Sequence, residues 1–96
     1  MIKTTVAFDI DGTLIDCGKR QPRHEILAML WSFRLLPNVE VILWSGGGKE
    51  YAEQRARELF LSDLPCIGKP IWKGEPSVDI SFDDQECKLG KINIRV

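Results

Sequence analysis

Ninety-six residues, with 13 Lys and Arg against 14 Asp and Glu, make one domain over residues 1–96 with a single core and a net charge near zero. That balance gives no basic footprint for nucleic acid and no polybasic patch for a membrane surface, and no apolar run nears the roughly 20 residues that cross a bilayer. With no signal-peptide pattern at the start, and with Cys17, Cys66 and Cys87 irregularly spaced beside one histidine, His24, a cytoplasmic protein is expected rather than a disulfide framework or a zinc protein.

The first element is a strand over residues 4–8, β-branched and apolar without clean alternation, as in a strand buried on both faces. It runs into Asp9-Ile10-Asp11-Gly12-Thr13-Leu14. A period-2 strand sends Asp9 and Asp11 to one face, where two acids repel by about 1 kcal/mol in water and several times more when partly buried. The pair therefore asks for a cation or a proton, although Asp-Gly is equally at home in a turn. Residues 12–22, rich in Gly, Asp, Lys, Arg and Gln, read as an irregular loop or short hairpin, with Lys19, Arg20 and Arg23 as solvated charges. A helix begins near Pro22. Ile26, Leu27, Leu30, Trp31 and Arg34 recur at helical spacing, Glu25 suits the positive end of the helix dipole, and Pro37-Asn38 ends the element.

Residues 39–44 form the second strand, and Ser45-Gly46-Gly47-Gly48 follow it, glycines that let backbone N–H groups approach an anion at a helix start. Tyr51, Ala52, Ala56, Leu59 and Phe60 share one face of the second helix. A third strand over residues 64–67 ends at Gly68-Lys69-Pro70, and the interval after it, with Pro70, Gly74 and Pro76, holds no ordinary helix. Strands over residues 78–82 and 92–96 complete the set. Asp79 enters the fourth strand, Asp83-Asp84 close it, and Trp44 and Trp72 read as core or rim packing. Strands alternating with helices predict an α/β fold, a small, mostly parallel sheet of about five strands flanked by helices, and such sheets bind ligands beyond their strand carboxyl ends. Asp9, Asp11, Ser45, Lys69, Asp83 and Asp84 all fall at predicted strand ends.

Taken in order, the DxDGT run at Asp9, Ser45 after the second strand, Lys69 after the third and Asp83-Asp84 after the fourth resemble the four motifs of the haloacid dehalogenase-like superfamily of phosphohydrolases. The resemblance runs from Thr4 to the last residue. It implies a Rossmann-like core and, since neither place for an inserted cap has room, no cap domain. It also implies a Mg2+-dependent phosphatase that hydrolyses a phosphomonoester through an aspartyl-phosphate. Asp9 would be the nucleophile and Asp11 the general acid and base. The metal would be held by the carboxylates of Asp9 and Asp83 with the backbone carbonyl of Asp11, and Asp84 would reach it through water. Ser45 and Lys69 would hold the transferring phosphoryl group, within a phosphate site that includes Gly12, Thr13 and Gly46. Lys73 is the alternative to Lys69.

An open, capless site suits a phosphorylated small molecule or macromolecule, and a homo-oligomer could cover it. Two other readings compete. One is a binding or regulatory module that keeps the fold with little turnover. The other is a receiver-type signalling domain, whose acid pair, phosphorylated aspartate and lysine follow a different chain order from the one here.

Overall fold

A computed structural model describes residues 3–68, 78–86 and 88–96. The chain folds as a small α/β domain: β1 (Thr4–Asp9), α1 (His24–Arg34), β2 (Val39–Ser45), α2 (Lys49–Glu58), β3 (Cys66–Gly68), β4 (Ile80–Asp83) and β5 (Ile92–Arg95). The five strands form one parallel sheet in the order β3-β2-β1-β4-β5.

β1 is the central strand, and its lack of alternation follows from cover on both faces. Val6 and Phe8 join Val41, Leu43 and Phe82 in the larger core, where α1 contributes Ile26 and Leu30 and α2 contributes Ala52 and Ala56. Both described helices therefore lie on the same face of the sheet. Ala7 points the other way, into a smaller cluster with Ile42, Trp44 and Val78, so Trp44 is a packing residue. The Phe8 and Phe82 rings stack at 4.6 Å, tying β1 to β4 beneath their carboxyl ends, the offset arrangement aromatic pairs favour.

Several boundaries depart from expectation for local reasons. The third strand starts later, at Cys66, because Leu64 is turned back onto Leu61 and pairing with β2 opens only at the Pro65 carbonyl, which accepts from Leu43 N–H at 2.9 Å. Phe60 is not on the apolar face of α2. The helix stops at Glu58 in a Schellman turn, with the Leu61 N–H on Ala56 O (2.7 Å) and the Phe60 N–H on Arg57 O (3.2 Å). Phe60 sits at the left-handed position of that turn (φ 60°) and is 86% exposed, while Leu61 is the residue that reaches the core. Trp31 likewise lies outside the apolar stripe of α1, with the Arg34 guanidinium 4.4 Å from its ring centre. Among the described residues no helix is long and apolar enough to cross a membrane.

Candidate functional site

The strand order makes one crevice special. β1, β2 and β3 step away in one direction, and the chain then returns to place β4 on the other side of β1, so the carboxyl ends of β1 and β4 flank a topological switch point, where open parallel sheets bind ligands. Asp9 is the last residue of β1 and Asp83 the last of β4. Both are almost fully buried, at 4% and 1% exposure, and carboxylates are seldom so buried unless paired. One carboxylate oxygen from each of Asp9, Asp83 and Asp84 lies within 4.8 Å of the other two. Asp84, expected to reach the metal through water, has its carboxylate in the cluster with the other two.

Gly12 explains how Asp84 fits. At φ +88° its backbone is in the region that L side chains rarely adopt, and an added Cβ would lie 2.0 Å from Asp84 Oδ2 and 2.4 Å from its Cγ. The carboxylate occupies the space a side chain would take, which makes Gly12 part of the cradle rather than a generic turn glycine. Burial pushes the Asp84 carboxyl upward and the hydrogen bond from the Gln85 side chain pulls it down, and it rests below the ordinary carboxylate range. The Gln85 backbone N–H caps Asp83 Oδ1 at 3.0 Å.

The residues after β1 hold its nucleophile candidate in place. Thr13, fully buried, donates its hydroxyl to Asp9 Oδ2 at 3.0 Å. It faces Asp9 rather than standing only as a phosphate contact. The chain turns sharply here because the Ile10 carbonyl accepts N–H groups from Thr13, Leu14 and Ile15 at 3.2, 2.9 and 3.1 Å. This turn follows directly on Asp9, the last residue of β1. The Asp11 carboxylate lies outside the three-acid cluster and instead accepts the Tyr51 hydroxyl from α2 at 2.9 Å. The ligand expected from Asp11 is its backbone carbonyl.

The loop that follows is a short hairpin, as expected. Ile15 bridges both Asp11 and Pro22, and Asp16 Oδ1 accepts the N–H groups of Gly18 and Lys19. Arg23, expected as a solvated charge, is half-buried and donates through Nη1 to the Gly12 carbonyl at 2.9 Å, bracing the turn beneath the acids. Lys19 and Arg20 are exposed.

Ser45 ends β2 one strand away from Asp9, on the same sheet edge, and is 2% exposed. Its Oγ accepts the Gly47 N–H at 3.1 Å, which leaves the hydroxyl proton to donate. Gly46 is exposed beside it, and α2 begins immediately after Gly48, whose φ of +101° only glycine adopts without strain. Lys69, its alternative Lys73, Trp72 and Cys87 lie outside the described residues. Asp79, as expected, has a structural role: its Oδ2 accepts the Thr5 N–H at 2.8 Å where β4 enters the sheet.

Sequence reasoning found every acid of the cluster and missed Tyr51 and Arg23 as partners of the DxDGT turn. Tyr51 had a legible signal, a hydroxyl on an otherwise apolar helix stripe, in the first turn after a glycine loop; Arg23 had none. Comparison with protein-family models, curated proteins and solved structures found no match.

Proposed function

We propose that this chain is a Mg2+-dependent phosphatase of the haloacid dehalogenase-like type, hydrolysing a phosphomonoester through an aspartyl-phosphate on Asp9. The observation that carries this reading is the convergence of Asp9 with Asp83 and Asp84, a pair more than seventy positions away in sequence, at the switch of a parallel sheet. Three carboxylates so close are mutually repulsive without a cation, and an all-oxygen donor set suits a hard divalent ion. The strand order supports the same reading. It matches the first five strands of the Rossmann order, whereas receiver domains follow the flavodoxin-like order 2-1-3-4-5.

The donor set fits Mg2+. Asp9, Asp83 and Asp84 would hold it with the Asp11 carbonyl, and the bound ion would neutralise the phosphoryl oxygens and fix the line of attack. The remaining work belongs to the chain. Thr13 fixes the Asp9 rotamer, and an Asp9 oxygen attacks phosphorus in line. As the bond to the leaving oxygen breaks, Asp11 gives that oxygen a proton. Asp11 then takes a proton from the water that attacks the phosphorus, and cleavage of the bond to Asp9 restores the carboxylate and frees inorganic phosphate. Ser45 supplies a hydroxyl proton to a phosphoryl oxygen, and Lys69, or Lys73 in its place, supplies positive charge.

Release of phosphate from 4-nitrophenyl phosphate, with and without Mg2+, tests the proposal against Asp9→Asn. Turnover that requires the metal and disappears in the variant is expected. Turnover surviving in Asp9→Asn would overturn the nucleophile assignment, and Mg2+ binding with no activity on a broad panel of phosphate esters would give the binding-module reading instead.

A further inference from the structure

We infer that Tyr51, locked by Arg55, is a positioning residue that sets the orientation of the Asp11 carboxyl for proton transfer to the leaving group; the inference rests on the phosphatase reading above. The Tyr51 hydroxyl lies 2.9 Å from Asp11 Oδ1, and Arg55 Nε lies 3.1 Å from the same hydroxyl oxygen. A guanidinium only donates, so the Tyr51 oxygen is the acceptor from Arg55 and its single proton is directed at Asp11. Arg55 is itself fixed, with Nη1 on Glu58 Oε2 at 2.7 Å one turn further along α2 and its Cζ 5.2 Å from the Tyr51 ring centre.

The ring is held from its other side as well. A Cβ on Gly47 would lie 2.9 Å from Tyr51 Cδ2 and Cγ, so the ring packs directly on the backbone of the Ser45–Gly48 loop, whose Gly47 N–H is bound to Ser45 Oγ. One half-buried side chain thus touches both the loop proposed to bind phosphate and the proposed proton donor. With Oδ1 committed to Tyr51, Oδ2 of Asp11 makes no hydrogen bond among the described residues and is the oxygen assigned to carry the proton to the leaving group.

A proton donor matters for an alkoxide leaving group and little for nitrophenolate, which separates positioning of Asp11 from a general loss of structure. kcat/KM reports steps up to formation of the aspartyl-phosphate, so leaving-group dependence appears there. Tyr51→Phe keeps the ring against Gly47 and removes only the hydroxyl. Its kcat/KM on an alkyl phosphate such as glycerol phosphate is expected to fall about tenfold or more beyond any fall on 4-nitrophenyl phosphate, a share of the ~10²–10⁴-fold that general acid catalysis supplies. Arg55→Gln should show the same bias more weakly, and Asp11→Asn more strongly. Equal losses on both esters in Tyr51→Phe and Arg55→Gln would overturn the positioning role while leaving the phosphatase reading intact. A wild-type protein inactive on both esters would overturn that reading and this inference together.

Discussion

Replacing Gly12 with alanine separates backbone strain from damage to the acid cluster, because the fold contains a matched control. Gly12 (φ +88°) and Gly48 (φ +101°) both occupy backbone conformations that cost a non-glycine residue about 1–3 kcal/mol. A Cβ at Gly48 meets nothing within 4 Å, whereas one at Gly12 lands 2.0 Å from Asp84 Oδ2 and 2.4 Å from Cγ. Restoring ordinary contact of ~3.5 Å moves the carboxylate by about 1.5 Å, far beyond the ~0.2 Å within which ligand distances are held. If Asp84 helps to hold a divalent ion as proposed, Gly12→Ala displaces it from that ion and Gly48→Ala does not. Thermal melts in EDTA and in saturating Mg2+ read the difference. For the wild type at one hundred times its dissociation constant, binding adds about 2.7 kcal/mol, and a tenfold weaker site forfeits about 1.3 of that, some 5–10 °C for a domain of this size. Both variants should melt lower than wild type in EDTA, and only Gly12→Ala should lose part of its Mg2+-dependent gain. A Gly12→Ala protein with the full gain would refute the placement of Asp84 against Gly12 as a feature of the metal site.

Thr13→Val keeps the buried volume and removes the donor to Asp9 Oδ2; with hydrogen bonds to charged groups contributing about 1.5–3 kcal/mol, turnover of 4-nitrophenyl phosphate should fall at least tenfold, and unchanged kinetics would exclude Thr13 as the support of Asp9. Phe60→Gly relieves a left-handed phenylalanine that is 86% exposed and should stabilise by about 1 kcal/mol, raising the melting temperature by roughly 4–8 °C; a lower value would mean that Phe60 packs on something in solution. At Asp16, the N–H groups of Lys19 and then Gly18 hold the carboxyl below its usual range. A carboxyl depressed by folding contributes stability above its unfolded value and loses it as pH falls through the folded one. Asp16→Ala should therefore be less stable than wild type at pH 7, and the gap should close as the solution is acidified below about pH 4. A gap constant with pH in denaturant titrations would assign the effect to packing.

The sheet was legible because β1 and β2 are compact apolar runs ended by turn residues, and burial of β1 on both faces explains why it does not alternate. The acids were legible because Asp9 and Asp83 close strands and Asp84 follows directly, and parallel strands bring their carboxyl ends to one edge. Phe60 was misplaced because helical periodicity carries no information about where a helix stops, and here a Schellman turn ends α2 before that position is reached. The contact between Asp11 and Tyr51 was hidden because period-2 reasoning describes an unbroken strand, while the Ile10 carbonyl gathers the following N–H groups into a turn. Gly12 read as turn punctuation, since nothing local reveals that a carboxylate 72 positions later fills the space where its side chain would be.

Asp83→Asn tests the shared-ion account most directly, because the account assigns the substitution opposite signs in two buffers. Asparagine keeps the acceptor for the Gln85 N–H and removes one of three charges crowded within 4.8 Å, a repulsion of about 1 kcal/mol in water and several times that at a buried site. The variant should melt above wild type in EDTA and below it in saturating Mg2+. A variant that melts below wild type in both, with an undiminished response to the metal, would contradict a divalent ion held between Asp9, Asp83 and Asp84.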